Sequence, residues 1–171
     1  MRTLAFVGLV AILATIGAAF FFLTGRYNVS AVEPDHGLVK WALETVREAS
    51  INRHATGKAA IAVDDPSVIQ AGAMAFFKRG CVHCHGAPGA DWSKFSEGLR
   101  PDAADLNEIA KTHSVGKIFW VIKNGINMTG MPSFARIQVP DEEIWKIAAF
   151  VKKLPTVKPE DYKAWTAASG N

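Results

Sequence analysis

The residues of this chain best suited to chemistry lie in one short stretch, Cys81-Val82-His83-Cys84-His85. Cys81 and Cys84 are three residues apart, so on a helical turn their thiols lie on the same side. At that spacing two thiols reach the two vinyl groups of one porphyrin, and His85 directs its imidazole at the iron from the same side. The spacing therefore predicts one covalently attached haem with His85 as an iron ligand.

Zinc, disulfide and thiol-redox roles for the two cysteines fit the sequence less well. A zinc site needs four ligands, usually from two cysteine pairs, and a disulfide framework needs more cysteines spread further apart. This chain has only two cysteines. A thioredoxin-like redox pair would lie in a βαβ unit, which the sequence pattern does not predict. An accidental match is the last alternative, but a helix before the motif and a loop after it are what haem attachment requires.

A second iron ligand would come from a methionine or a histidine. The candidates are Met74, Met128, Met131, His36, His54 and His113. We prefer Met131, because Pro132 forces it toward extended geometry and Gly130 lets the backbone pass close to a flat cofactor. Met128 in the same irregular segment is the alternative. If both were core methionines, the iron would be open on one side.

Helices must position these residues, because no strand of convincing length is predicted; the expected fold class is all-α. Asp65-Pro66 predicts an N-cap and a first-turn proline for a helix that runs to about Arg79, where Gly80 ends it. The other helices predicted in this part of the chain are 103–112, 115–124, 141–154 and a short one that begins at Pro159.

The N-terminus contains 20 uncharged residues, from Leu4 to Leu23. As a helix they would measure about 30 Å, enough to cross a bilayer, whereas the apolar part of a signal peptide has only about 7–15 residues. We predict a retained anchor, with cleavage near Val29-Ser30-Ala31 as the alternative. Haem attachment to such motifs occurs outside the cytoplasm, so we expect a single-pass inner-membrane protein with its haem domain in the periplasm.

Between the anchor and the haem domain we predict a membrane-proximal amphipathic helix over about 35–50 and then a linker. Its apolar positions recur at helical spacing and are Leu38, Val39, Ala42, Leu43, Val46 and Ala49. We expect this face to pack against the chain's own globular domain, with a docking surface for a partner as the alternative. The predicted domains are 1–26, 27–64 and 65–171.

The charge of the chain argues against nucleic acid as a partner. There are 19 Lys and Arg against 16 Asp and Glu, and Arg2 and Arg26 flank the apolar N-terminus. The rest of the chain is therefore almost balanced, whereas a nucleic-acid-binding domain carries a clustered basic face.

Three segments in order, CVHCHGAPG, FWVIKNGINMTGMPSF and DEEIWKIAAFVKKLP, resemble the small monohaem class I c-type cytochromes of bacteria. The chain is most similar to membrane-anchored, periplasm-facing members that carry a RYNVSA stretch after the anchor. The resemblance implies a class I cytochrome c domain of four to five short helices around one haem c. It also implies that Met131 is an iron ligand and that Trp120 lines the haem edge, with an ordinary core position as the alternative for Trp120.

The resemblance also implies two structural contacts. The helix before the haem should cross the C-terminal helix at Gly72, with Phe76 or Phe77 and Trp145 at the crossing. A proline whose carbonyl accepts the axial histidine N–H is usual in this family, and Ala104 takes its place here. A carbonyl is still available, so we expect the hydrogen bond from His85 to persist in a less rigid loop.

The expected function follows from the ligands. His–Met ligation leaves no coordination position free, and no acid–base or nucleophilic constellation is apparent elsewhere. We therefore expect a periplasmic single-electron carrier, not an enzyme, that serves a membrane respiratory complex or forms one of its subunits. An oxidase, a reductase or a dehydrogenase is the expected partner. The alternatives are a haem enzyme or gas sensor with a labile methionine, and a thiol oxidoreductase.

Overall fold

The computed structural model describes residues 2–167, and the secondary structure of this part of the chain is helical, without a named strand. The predicted all-α class is confirmed. The helices are α1 (Arg2–Leu23), α2 (Gly37–His54), α3 (Pro66–Lys78), α4 (Val82–His85), α5 (Leu106–Thr112), α6 (Val115–Asn124), α7 (Asp141–Lys153) and α8 (Pro159–Ala167). Two 3₁₀ turns, Lys94–Gly98 and Leu154–Thr156, complete the regular structure.

The chain divides between Asp35 and His36 into two units. The first contains α1 and a connector. Among the described residues α1 is the one helix long and apolar enough to cross a membrane, since its 22 residues correspond to about 33 Å. The second unit contains α2 to α8 and the hydrophobic core.

Helix α3 begins and ends at residues that fix its direction. The Asp65 side chain accepts the Ser67 N–H at 2.8 Å, and Pro66 occupies the first turn, where its missing N–H costs nothing. At the other end Gly80 has φ +76°; its N–H bonds to the Phe77 carbonyl and that of Cys81 to the Phe76 carbonyl. This Schellman closure stops the helix and starts the haem motif at once.

Helix α3 crosses α7 at Gly72. A Cβ at this position would lie 2.0 Å from the Lys146 carbonyl oxygen, so only glycine allows the two backbones to approach so closely. Phe76 is buried beside the crossing, with its ring edge on Phe150 at 5.3 Å, whereas Phe77 is exposed. Trp145 stacks on Phe119 of α6 at 3.8 Å. Of the two phenylalanines, Phe76 is therefore the one that packs between the helices.

Helices α5 and α6 complete the core beside α7. Ser114 caps α6, accepting the Lys117 N–H at 3.3 Å, and begins the helix where the sequence predicts. Lys152 of α7 donates from Nζ to the carbonyls of Ala110 and His113, which satisfies carbonyl groups at the end of α5. These contacts hold the junction between α5 and α6 to α7.

Helix α2 contacts α6 with its C-terminal end. Ile51 is buried, and His54 stacks on Trp120 with ring centroids 6.1 Å apart. The expectation that the apolar face of α2 would cover the domain is wrong, because most of that face is exposed. The pattern predicts an amphipathic helix but not the side on which its partner lies.

The segment 55–64, which has no sequence pattern, lies on the domain. A Cβ on Gly116 would come within 2.6 Å of the Gly57 carbonyl oxygen, so this segment passes directly over the start of α6. Asp64 pairs with Lys153 at 2.8 Å. Residues predicted as a linker therefore connect α2 to α3 along the surface of α6 and α7.

Candidate haem site

Helix α4 places the two cysteines on one turn. The N–H groups of Cys84 and His85 both bond to the Cys81 carbonyl, at 3.2 and 3.0 Å, so the motif folds as a single short helix. Both thiols are free and half-buried. This is the local geometry that the three-residue spacing predicts for attachment to one porphyrin.

The environment of the cysteines argues against thiol and zinc chemistry. Burial raises the pKa of the Cys81 thiol to about 12, so Cys81 is protonated and a poor nucleophile at neutral pH. Within residues 2–167 no group of three or more His, Cys, Asp and Glu side chains is arranged to hold a metal ion. A thioredoxin-like pair also lacks its βαβ context in this helical structure.

His85 is oriented by a hydrogen bond to the backbone. Its Nδ1 lies 2.9 Å from the Ala104 carbonyl oxygen. A carbonyl only accepts, so Nδ1 carries the proton and the lone pair of the neutral ring is on Nε2. Burial lowers the pKa of His85, with the Ala104 carbonyl acting in the opposite direction. The ring is therefore neutral at neutral pH and presents Nε2 as a metal ligand.

The chain turns sharply after His85. Gly86 has φ +64°, and a Cβ there would lie 3.0 Å from the Ala90 carbonyl oxygen. Ala87 and Ala90 then exchange two backbone hydrogen bonds at 2.8 and 2.9 Å. His83, between the cysteines, is exposed, and its Nδ1 lies 3.1 Å from the Ser93 hydroxyl. His83 therefore fastens the following loop to α4.

Met131 lies in a loop whose main chain is held on both sides. Gly125 has φ +69°, and a Cβ on it would lie 2.7 Å from the backbone of Pro132. The Ile126 N–H bonds to the Met131 carbonyl at 3.1 Å, and the Met131 N–H bonds to the Thr129 hydroxyl at 3.1 Å. The Met131 side chain is half-buried and packs against the core cluster.

The two candidate methionines differ in exposure. Met128 has φ +59° at the tip of the loop, and 89% of it is exposed.

Gly130 contacts the loop that follows the haem motif, since a Cβ on it would lie 3.1 Å from Leu99 Cδ2. This contact joins the segment that carries His85 to the segment that carries Met131, and the sequence gives no sign of it.

Trp120 is half-buried, and its ring contact is the stack on His54 described above. It is not part of the buried core cluster or of the apolar side chains packed against that cluster. Its placement at the haem edge, taken from the family resemblance, stays a prediction.

An open cavity of about 310 Å³ lies beside His85. Its lining combines the apolar side chains of Leu106, Leu154, Pro155 and Val157 with polar groups such as Asp91 and Asn107, and neither cysteine nor Met131 is part of it. Tyr162 has a buried hydroxyl without a hydrogen-bond partner among the described residues, and burial raises its pKa to about 12, with Cys81 adding to the shift. Two thiols on one turn and a neutral imidazole with Nε2 available fit the attachment of a haem c.

Residues 68–151 match a protein family described as cytochrome c oxidase, cbb3-type, subunit III. The matched segment runs from α3 to α7 and contains the Cys-x-x-Cys-His motif, Ala104 and Met131. Neither a curated protein nor a solved structure matches the chain.

Proposed function

The chain is a c-type cytochrome of respiratory electron transfer, and from this premise we propose that it is a membrane-tethered periplasmic carrier of single electrons. The observation that carries the proposal is the His85 hydrogen bond to Ala104, which fixes the ring and leaves Nε2 available. We propose that Cys81 and Cys84 attach one haem c through thioether bonds. When bound, this group supplies a one-electron iron couple.

His85 and Met131 would be the two side chains that hold the haem iron. The Ala104 carbonyl keeps the imidazole in one tautomer and one orientation, which increases the basicity of Nε2. Met131 is supported by its half-buried position and by the hydrogen bonds on its main chain, whereas Met128 points from an exposed loop tip. A thioether ligand raises the reduction potential relative to a second imidazole.

Trp120 is proposed to line the haem edge. Its aromatic ring lies on α6, the helix that leads directly into the Met131 loop. A ring at that edge would exclude water and raise the reduction potential.

We further propose that the protein is a carrier and not an enzyme. Two protein ligands on the iron leave no position for a substrate. The oxidase named in the family description favours a terminal oxidase as the partner complex, with a reductase or a dehydrogenase as the other possibilities.

The ligand proposal is tested with the absorption spectrum of the purified protein. We expect the charge-transfer band of a methionine-ligated ferric haem and no change of the ferrous spectrum with carbon monoxide. A spectrum that changes with carbon monoxide would indicate an open iron position and favour a haem enzyme or a gas sensor.

The tether is tested with the N-terminus of the mature protein. Helix α1 is apolar along its length and long enough to span, so we expect it to be retained in the inner membrane with the haem domain on the periplasmic side. Intact mass spectrometry should show a chain that still includes residues 4–23. A mature N-terminus at Val32 would show that the segment is a cleaved signal.

A further inference from the structure

The apolar face of α2 has no partner among the described residues. The exposed fraction is 76% for Leu38, 60% for Leu43 and 66% for Val46. At 3.6 residues per turn the side opposite the buried Ile51 is occupied by Leu38, Ala42, Val46 and Ala49. Helix α2 therefore packs on α6 with one side and turns its apolar side away from the domain.

Most of the charged residues of α2 lie on the side of Ile51. Glu44 and Glu48 lie on the side of Ile51, and Glu48 is 3.8 Å from His113 of the domain. Lys40 and Arg47 also lie on the side of Ile51, where Arg47 pairs with Glu48 at 3.4 Å, and Arg53 lies on the opposite side at the C-terminal end of the helix. The outward side of this helix is thus mostly apolar, carries Arg53 at its C-terminal end and has no acid, which suits a surface with anionic groups above an apolar layer.

The connector between α1 and α2 is short enough to keep α2 near a membrane that α1 crosses. Helix α1 ends at Leu23 and α2 begins at Gly37, so 13 residues join them. Even fully extended, this connector spans only about 45 Å. A membrane crossed by α1 is therefore always close to α2, while the position of a protein partner is not constrained by the chain.

We propose that the outward face of α2 lies on the lipid surface of the membrane that α1 crosses. Leu38, Leu43 and Val46 enter the boundary between headgroups and acyl chains, and Arg53 reaches the lipid phosphates. This inference rests on the proposed tethering by α1. Because Ile51 and His54 pack on α6, the haem domain is then held near the membrane in a restricted range of orientations.

Hydroxyl-radical footprinting of the full-length, haem-loaded protein tests this proposal. The protein is placed in nanodiscs of phosphatidylethanolamine and phosphatidylglycerol, with no other protein present. Leu43 and Ile137 are matched probes, since their exposed fractions are 60% and 61%. We expect Leu38, Leu43 and Val46 to be labelled several-fold more slowly than Ile137. Val46→Glu should raise the labelling of Leu43 to the level of Ile137, and the exposed control Asn52→Glu should leave it unchanged.

Equal labelling of Leu43 and Ile137 in nanodiscs would overturn the proposal. Protection that appears only in native membranes, where other proteins are present, would also overturn it and assign the face to a protein partner. The same sample separates this inference from the proposed function, because incorporation into the nanodisc reports the anchor and the haem spectrum reports the carrier. A red, redox-active, incorporated protein with unprotected α2 contradicts only this inference.

Discussion

The segment around His85 and the segment around Met131 present their side chains in different ways. His85 follows a closed helix end and sits on a one-turn helix, and its ring is held directly by the Ala104 carbonyl at 2.9 Å. Met131 has no such bond on its side chain, and its position depends on backbone hydrogen bonds of the loop and on packing. The histidine ring is held by a hydrogen bond on its side chain to a residue 19 positions away, whereas the methionine is held by hydrogen bonds on its main chain within the loop and by packing against the core.

This difference has a consequence for the iron ligands. Changes on the histidine side should remove the cofactor, whereas changes on the methionine side should leave it attached and alter its redox properties. A change in the Met131 loop that prevents haem attachment would contradict this expectation, and so would a change in the cysteine motif that alters only the reduction potential.

The largest effect is expected from Cys81→Ala combined with Cys84→Ala. Without either thiol no thioether bond forms, so covalent haem should be lost completely. Haem staining after denaturing electrophoresis measures this. His83→Ala in the same motif is the control, since His83 is exposed and its side chain hydrogen-bonds to the Ser93 hydroxyl. A double variant that still stains would contradict the assignment of the motif.

Replacement of Met131 tests whether this residue is the second iron ligand. Met131→Ala should remove the ferric charge-transfer band and lower the reduction potential by on the order of 100 mV or more, because the thioether that favours ferrous iron is lost. Haem staining should be unchanged. Potentiometric titration of this variant and of Met128→Ala decides between the two residues. If Met128→Ala has the larger effect, Met128 is the ligand.

Gly125→Ala alters the same loop without removing the thioether. The new Cβ would lie 2.7 Å from the backbone of Pro132 at φ +69°, which should cost about 2 kcal/mol or more. We expect a weakened methionine band with intact haem attachment. Gly98→Ala is the matched control, because a Cβ there meets nothing within 4 Å. An unchanged methionine band in Gly125→Ala would show that this glycine does not position the ligand.

The smallest effect is expected from Glu143→Gln on the histidine side. Arg79 lies just before the motif, pairs with Glu143 at 2.7 and 3.1 Å, and lowers the pKa of that carboxyl. The pair therefore contributes about 0.5 to 1 kcal/mol at neutral pH. Its contribution decreases as the pH falls below the ordinary glutamate pKa of 4.5 and is lost below the lowered folded-state value.

Urea unfolding of the wild type and of Glu143→Gln at neutral and at acidic pH measures this contribution. The two proteins should converge in stability at acidic pH. Glu142→Gln, whose partner Lys146 lies on the same helix, is the control with a smaller effect. A difference between wild type and Glu143→Gln that grows on acidification would contradict a stabilising role for the ionised carboxylate.

Most of the helices could be predicted from the sequence because their ends carry local signals. Asp65-Pro66 and Ser114 begin α3 and α6 where predicted, and Gly80 and Gly125 follow their ends. The short α5 begins at Leu106, capped by Asp105, a few residues later than its predicted start at 103. Capping and glycine closure act within a few residues of the chain, so the sequence contains all that is needed to see them.

Tertiary contacts could not be predicted in the same way. The sequence indicates Cys81, Cys84 and His85 through their spacing, but the contact of Gly130 with Leu99 joins residues far apart in the chain. The apolar stripe of α2 predicts an amphipathic helix, but it does not indicate which face of the helix contacts α6. The orphan hydroxyl of Tyr162 likewise arises only from packing around the core.

Covalent attachment of haem is tested by peptide mapping of the purified, denatured protein after acidic extraction of free haem. Trypsin cleaves after Arg79 and Lys94 and releases residues 80–94, which contain both cysteines. We predict that the mass of this peptide is increased by the mass of one haem, which is bound to both of its cysteines. An unmodified 80–94 peptide, with both thiols open to alkylation, would contradict the assignment of this chain as a carrier with covalently bound haem.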